Sequence, residues 1–223
     1  MSYFTKDFVQ FFKELAANNN RDWFQDNKKR YEESVKKSFA VFVGDLIKEI
    51  NKDDKTINPL VKDCVFRINR DVRFSKDKSP YKLHTSAVIT RGGKKDKTTP
   101  GLYLQMGPED VRIYGGIHMP DKDELMSIRE YIVTNGKEFE KILNNKAFKG
   151  TYGELQGEKN KRLPNKDLET AAEKQPYIYN KDFYYFTKLK PAAIANKDLM
   201  ETIMGAWKDG KPMKEFLTKA IGK

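Results

Sequence analysis

The spacing between apolar residues changes twice along the chain, and this change constrains the fold more than any other feature. Near the N-terminus the apolar residues recur every three or four positions, the period of an amphipathic helix, at Phe8, Phe11, Phe12 and Leu15. The same spacing continues from Phe24 to Ile50 and predicts a second helix of about 28 residues, with Asp22 as its N-cap. The N-terminal part of the chain is therefore predicted to be helical.

In the middle of the chain the period shortens to that of a β-strand. Short runs rich in β-branched and aromatic residues predict strands at residues 66–74, 83–90, 101–106 and 111–118. Turn-forming residues separate these runs, at 91–97 and 107–110 among others. A parallel sheet needs a helix-length crossover between strands, and these links are too short for one. The runs therefore predict an antiparallel meander.

Helical spacing returns after Pro120, with Asp121 or Asp123 as the cap of the first C-terminal helix. Residues 183–189 predict one further strand, and Pro212 is expected to open the last helix. Helices on both sides of one block of strands are typical of an α+β fold. We expect an antiparallel sheet of about four to six strands from the middle of the chain, packed by N-terminal and C-terminal helices.

The charge of the chain is strongly basic and unevenly distributed. The formal net charge is +11, and residues 61–120 contribute +6 of it, with twelve Lys and Arg against six Asp and Glu. Such an excess favours an anionic partner, either a small phosphorylated or carboxylated molecule or nucleic acid. A lysine-rich solvated surface explains the same excess without any partner, so charge alone leaves both interpretations open.

Other features of composition bound the cellular setting. No apolar run approaches the ~20 residues of a membrane helix, so we expect no membrane partner. The first residues lack the basic and then apolar pattern of a signal peptide. Cys64 is the only cysteine, which excludes an internal disulfide and favours a cytoplasmic protein. The sequence does not indicate an oligomeric state.

One segment, residues 67–82, carries the strongest functional signal. It holds three of the nine arginines in a chain where lysine is the usual cation. An arginine cluster in that setting indicates that the planar guanidinium fork is needed, which suits carboxylate and phosphate. We expect an anion-binding site formed by six cations, namely Arg67, Arg70, Arg73, Lys76, Lys78 and Lys82.

Two alternatives to this binding site remain open. In an extended segment, Asp71 shares one face with Arg67 and Arg73 and can pair with both, forming an internal salt-bridge ladder. Arg70 falls on the opposite, apolar face, where a structural partner is expected. The second alternative is an enzyme acting on a phosphorylated or carboxylated substrate. Its acid or base would come from four candidates, namely Asp71, Asp77, Tyr81 and His84.

The sequence lacks the motifs of the common cofactor and metal sites. It has no P-loop, no dinucleotide-binding glycine pattern and no GxSxG elbow, so we expect no cofactor. The two histidines, His84 and His118, stand in no metal-binding spacing, so no metal is predicted.

Several of these segments together resemble one known family. The run from Asn18 to Phe24 and the run from Phe66 to Lys82 are similar to the family called domain of unknown function 2461 (DUF 2461). The resemblance covers nearly the whole chain, which implies a single domain over residues 1–223, and it implies no particular activity. His118 stands where that family more often has an aromatic residue, so His84 is the stronger histidine candidate. Leu163 stands where a proline is usual, so the resemblance assigns no role to its loop.

Overall fold

The sheet confirms the α+β prediction. A computed structural model of the protein describes residues 2–96 and 99–222. One antiparallel sheet has four strands in sequential order, with helices before and after it in the chain. The strands are β1 (Thr85–Ile89), β2 (Leu102–Met106), β3 (Val111–Ile117) and β4 (Phe183–Leu189).

The N-terminal helices follow the predicted stripe. They are α1 (Lys6–Ala17), α2 (Arg21–Asp26), α3 (Lys28–Arg30), a π-helical segment (Tyr31–Lys37), α4 (Ser38–Asp53) and α5 (Val61–Cys64). The stripe residues Phe8, Phe11, Phe12 and Leu15 are all buried. The predicted long helix is present as successive helical segments rather than one α-helix.

The cap of α2 differs from the prediction. Asn20 is the N-cap, and its side chain accepts a hydrogen bond from the Trp23 backbone N–H at 2.9 Å. Asp22 lies inside the first turn, where its negative charge complements the helix dipole. Both positions favour a short polar residue, so the sequence alone does not separate them.

The C-terminal helices are α6 (Lys122–Thr134), α7 (Gly136–Leu143), α8 (Lys146–Tyr152), α9 (Lys166–Lys174) and α10 (Leu199–Ala220). Of the two predicted caps, Asp121 is the N-cap of α6, in a capping box with Glu124. The prediction that Pro212 opens a helix is wrong, because this proline lies inside α10. Tyr152 and Tyr185 donate hydroxyl hydrogen bonds to the Ala206 and Gly210 carbonyls, which tie this part of α10 to the rest of the second unit.

The prediction of a strand at residues 66–74 is wrong. Residues 65–70 run antiparallel to residues 80–87 through two isolated bridges, Val65 with Ala87 and Asn69 with Tyr81. Beyond Arg70, whose N–H donates to the Pro80 carbonyl at 2.8 Å, the chain turns into a loop. Pro80 has no N–H to extend the ladder, so the alternation that the sequence suggests ends there.

Short 3₁₀ segments also occur in the described part of the chain, at Gly93–Lys95, Pro176–Tyr179 and Pro191–Ala195. The first of them lies within the turn predicted at residues 91–97. Residue Lys97 of that turn is outside the described residues.

The chain divides into two compact units, each built from separate stretches. The first comprises residues up to 95, 103–113 and 188–204, and its core contains Phe8, Phe12, Phe39, Phe42 and Leu46. The second comprises 96–102, 114–187 and residues from 205 onward, and its core contains Ile128, Phe139, Phe148, Phe183 and Phe216. The single domain over residues 1–223 stays a prediction. No helix in the described ranges combines the length and the apolarity needed to cross a membrane.

Candidate anion-binding site

Residues 66–82, which we call the basic hairpin, are anchored in the first unit at Tyr81. The Asn19 side chain donates to the Tyr81 carbonyl at 2.9 Å and accepts from its N–H at 3.1 Å. The Tyr81 ring is buried and stacks on Phe24, with 4.0 Å between ring centroids. This anchor fixes the base of the hairpin and leaves the tip, residues 71–79, to its own contacts.

The tip is held together by Arg70 and Asp77. The half-buried guanidinium of Arg70 forms an ion pair with Asp77 and donates to the Ser79 carbonyl at 3.1 Å. Asp77 also accepts from the Ser79 N–H at 2.9 Å and hydroxyl at 2.6 Å. The bonds from Ser79, together with Arg70, lower the pKa of Asp77 to about 2. Arg70 thus has the structural partner that its position in the sequence indicates.

Asp71 pairs with one arginine rather than two. Arg73 donates to both carboxylate oxygens of Asp71, at 3.0 and 2.7 Å, and these bonds lower the pKa of Asp71. Both side chains are exposed, and the Arg73 guanidinium lies 5.9 Å from the centre of the Phe74 ring. Arg67 acts on Asp71 only through its charge, so the predicted ladder is reduced to one exposed pair.

A second group of cations has no ion-paired carboxylate among the described residues. Lys82 and Lys94 both approach the ring of Phe66, with ammonium-to-centroid distances of 5.4 and 5.9 Å. Lys94 also donates to the backbone carbonyls of Lys62 at 3.0 Å and Val65 at 2.5 Å.

Arg67 lies close enough to affect the ionisation of Lys82. Burial lowers the pKa of Lys82, and the charge of Arg67 lowers it further. Within residues 2–96 and 99–222, no carboxylate forms an ion pair with Arg67, Lys82 or Lys94. We give the name cation cluster to Lys82 and Lys94, which approach the Phe66 ring, together with Arg67, whose charge acts on Lys82.

The remaining predicted cations lie at the tip. Lys76 is exposed and makes no ion pair or hydrogen bond to the described part of the chain. Lys78 donates to the Val72 carbonyl at 3.0 Å, which braces the tip. The six predicted cations therefore fall into two groups. Arg70, Arg73 and Lys78 hold the hairpin together through bonds within it, whereas the charges of Arg67, Lys76 and Lys82 are available to a ligand.

The four catalytic candidates do not form one hydrogen-bonded group. Asp71 and Asp77 lie at the exposed tip and are tied to arginines, whereas Tyr81 is buried against Phe24. Burial, and then the charges of Lys82 and Arg112, lower the pKa of His84 to about 4. In the described residues no hydrogen bond joins any two of these candidates, so a catalytic role for them stays a prediction.

His118 lies in the second unit. Its Nδ1 is 3.1 Å from an Asp182 carboxylate oxygen, which also accepts from the Met119 N–H at 2.7 Å. Among the residues that the structure describes, no three His, Cys, Asp or Glu side chains gather as a metal site.

Two clefts occur elsewhere in the structure. One, of about 350 Å³, lies in the first unit beside Lys6, Val9 and Pro191. The other, of about 380 Å³, lies in the second unit beside Glu154, Tyr177 and Asn180. None of the ten predicted site residues lines either cleft.

Two members of the site were not predicted from the sequence. Lys94 is separated from residue 67 by more than a whole strand, and its hydrogen bonds to the Lys62 and Val65 carbonyls hold it beside Phe66. Phe66 directly precedes Arg67 in the sequence. An aromatic residue next to a cation can form a cation–π contact, and this pattern could have identified Phe66 as part of the site.

A family of known proteins matches most of the chain. The family model described as "Conserved hypothetical protein (DUF2461)" matches residues 7–216. The match includes the whole basic hairpin and Lys94. No curated protein matches the chain.

Proposed function

The chain belongs to the DUF2461 family, and we propose that it binds phosphate- or carboxylate-bearing anions at the basic hairpin. The observation that carries this proposal is the cation cluster. Lys82 and Lys94 lie beside one ring, and none of the three cations makes an ion pair with a carboxylate of the described residues. The charge of Arg67 opposes the ionisation of Lys82, and this repulsion costs free energy. A bound anion removes that cost.

The chemistry of the cluster suits an oxyanion. Arg67 offers a planar fork that donates two parallel hydrogen bonds, while the two lysines supply compact positive charges. Lys82 and Lys94 are only half-exposed, so solvent screens their charge less than it screens a fully exposed lysine. Lys76 extends the positive surface toward the tip. Arg70 and Arg73 are not needed as ligands in this proposal, because Asp77 and Asp71 occupy them.

We also propose that the protein is cytoplasmic. Cys64, the only cysteine, is buried, and burial raises the pKa of its thiol to about 11. A buried protonated thiol is inert toward disulfide exchange, and it suits a reducing compartment.

The test uses an anion that has charge but no base or sugar. We expect the double variant Arg67→Ala/Lys82→Ala to bind inorganic tripolyphosphate at least about tenfold more weakly than the parent chain, measured by titration calorimetry. The reason is that two charge-assisted contacts are lost.

The matched control removes the same charge from another part of the first unit. Lys36 and Lys37 are exposed and lie in the π-helical segment, so Lys36→Ala/Lys37→Ala should leave the affinity within about twofold. Equal losses in the two double variants would show that overall charge, rather than the cation cluster, holds the anion. Circular dichroism of each variant checks that the fold is intact.

A further inference from the structure

Phe74, at the tip of the basic hairpin, is an aromatic side chain with almost no protein contact. It is 97% exposed, the highest value among the exposed large apolar residues of the described chain. Exposed apolar surface is unfavourable in water, and this ring lies beside the Arg73 guanidinium in a loop rich in cations, an arrangement that suits a ligand with both a planar ring and an anionic group. The question is which partner fits both the ring and its neighbours.

The tip does not need Phe74 for its own structure. Its backbone turn is closed by the Ser75 N–H, which donates to the Val72 carbonyl at 3.3 Å. Lys78 donates to the same carbonyl at 3.0 Å, and Arg70 bonds the far side of the tip through Asp77. These contacts hold the loop whatever residue stands at position 74, so the exposed ring is available for a ligand.

Charge surrounds the ring along the hairpin. The Arg73 guanidinium approaches it at 5.9 Å, and the exposed Lys76 follows two residues later. At the other end of the hairpin, Lys82 and Lys94 both approach the ring of Phe66. Proteins that bind single-stranded nucleic acid commonly combine aromatic rings with cations, because the bases stack on the rings while the phosphates bind the cations.

We propose that the basic hairpin binds single-stranded nucleic acid, with a base stacked on Phe74 and phosphates held by the cation cluster and Lys76. This inference rests on the proposed function, since the cation cluster supplies the anion contacts. The planar ring needs the open face of a base, which a duplex hides inside its stack. A single strand presents such faces.

The carboxylates of the tip favour nucleic acid over a lipid surface. Asp71 and Asp77 lie three residues on either side of Phe74, and both are exposed. Insertion of the ring into an anionic membrane would bring both carboxylates against lipid phosphates and remove water from them. A base stacks on the ring from outside and leaves those carboxylates in water.

The experiment compares two strands that have the same phosphates. One is an oligothymidylate of about 16 nucleotides, and the other is an abasic strand of equal length. Binding is measured by fluorescence anisotropy for the parent chain, Phe74→Ala and Phe74→Trp. We expect Phe74→Ala to weaken oligothymidylate binding roughly 5- to 150-fold and to leave abasic binding unchanged. Phe74→Trp should restore binding, because it keeps an aromatic face.

A matched control removes apolar surface elsewhere. Val41, on α4, is 53% exposed, so Val41→Ala should change neither affinity. Loss of both affinities in Phe74→Ala, loss of neither, no binding of oligothymidylate by the parent chain, or tighter binding of a duplex would each overturn the inference. Binding to phosphatidylserine vesicles that Phe74→Leu keeps and Phe74→Ala loses would assign the ring to a membrane instead.

The two proposals fail in different ways. If Arg67→Ala/Lys82→Ala leaves tripolyphosphate binding intact, the proposed anion site is wrong. If that variant loses tripolyphosphate while Phe74→Ala does not distinguish the two strands, the anion site stands and only the stacking role is wrong.

Discussion

At the residue scale, the function of each cation depends on whether a carboxylate already holds it. Arg67, Arg70 and Arg73 stand three residues apart and look alike in the sequence. In the structure Arg70 and Arg73 are paired with Asp77 and Asp71, whereas Arg67 makes no ion pair with any residue that the structure describes. A guanidinium that already donates to a carboxylate has fewer donors for a ligand, so Arg67 is the arginine best placed to bind one.

His84 makes the stability of the protein depend on pH. Its pKa is lowered from 6.5 to about 4, chiefly by burial, so between these values the unfolded chain binds more protons at this residue than the folded chain does. The contribution of His84 to stability is therefore fully present above pH 6.5 and is lost as the pH decreases toward 4. The effect is at most about 3 kcal/mol, and partial exposure of the ring reduces it.

We expect His84→Gln to flatten this pH dependence. The measurement is urea unfolding of the parent chain and the variant at several pH values across the window. If His84→Gln retains the full slope of the parent chain, another group is responsible.

At the scale of elements, the basic hairpin is held by side-chain bonds where backbone pairing between its two arms ends. Its base is paired through isolated bridges, and its tip is held by Arg70, Asp77, Ser79 and Lys78. The predicted strand at residues 66–74 is wrong because the extended backbone that the alternating apolar pattern implies continues only to residue 70. After it, Pro80 and the bonds of Asp77 favour a loop.

The two paired arginines of this element should differ in their effect on stability. Arg70→Ala removes bonds to Asp77 and to a backbone carbonyl from a half-buried site, so the melting temperature should fall. Arg73→Ala removes an exposed pair and should leave it nearly unchanged. Differential scanning calorimetry measures both, with Lys36→Ala as the control for lost charge. A larger fall in Arg73→Ala than in Arg70→Ala would favour the internal salt-bridge ladder.

Pro212 in α10 is a second case in which a local sequence rule predicted the wrong structure. Proline is common in the first turn of a helix, yet Pro212 lies in the interior of α10. The hydroxyls of Tyr152 and Tyr185 reach the Ala206 and Gly210 carbonyls from distant parts of the second unit. Sequence spacing alone gives no indication of such long-range donors.

At the scale of the whole molecule, the net charge of +11 attracts any polyanion, and the question is how much of the attraction comes from the cation cluster. Each phosphate contact on a single strand contributes about 0.7 to the slope of log affinity against log salt concentration. We expect Arg67→Ala/Lys82→Ala to lower the steepness of that slope by about 1.4 for oligothymidylate, because two contacts are lost.

The control for this prediction is again Lys36→Ala/Lys37→Ala, which should keep the slope of the parent chain. Anisotropy titrations over a range of sodium chloride concentrations give both slopes. Equal changes in the two variants would mean that the strand contacts the whole basic surface.

Local pattern was sufficient for the class of the fold. The helical period around Phe8 and the shorter period of the middle segment predicted helices, strands and an α+β arrangement, because side-chain direction repeats within a few residues along the chain. Charge counting likewise located the excess of cations in residues 61–120. These properties belong to the sequence itself and do not depend on how distant segments meet.

Only the tertiary structure decided which cations are paired, that Lys94 meets Phe66, and that Phe74 stands in solvent. Ion pairing, burial and exposure arise between groups that lie far apart in sequence or on opposite sides of a turn. Their energies depend on distance and on the exclusion of water, neither of which a residue pattern contains. The sequence by itself therefore determined the fold class and the region of charge, whereas the backbone path determined the site.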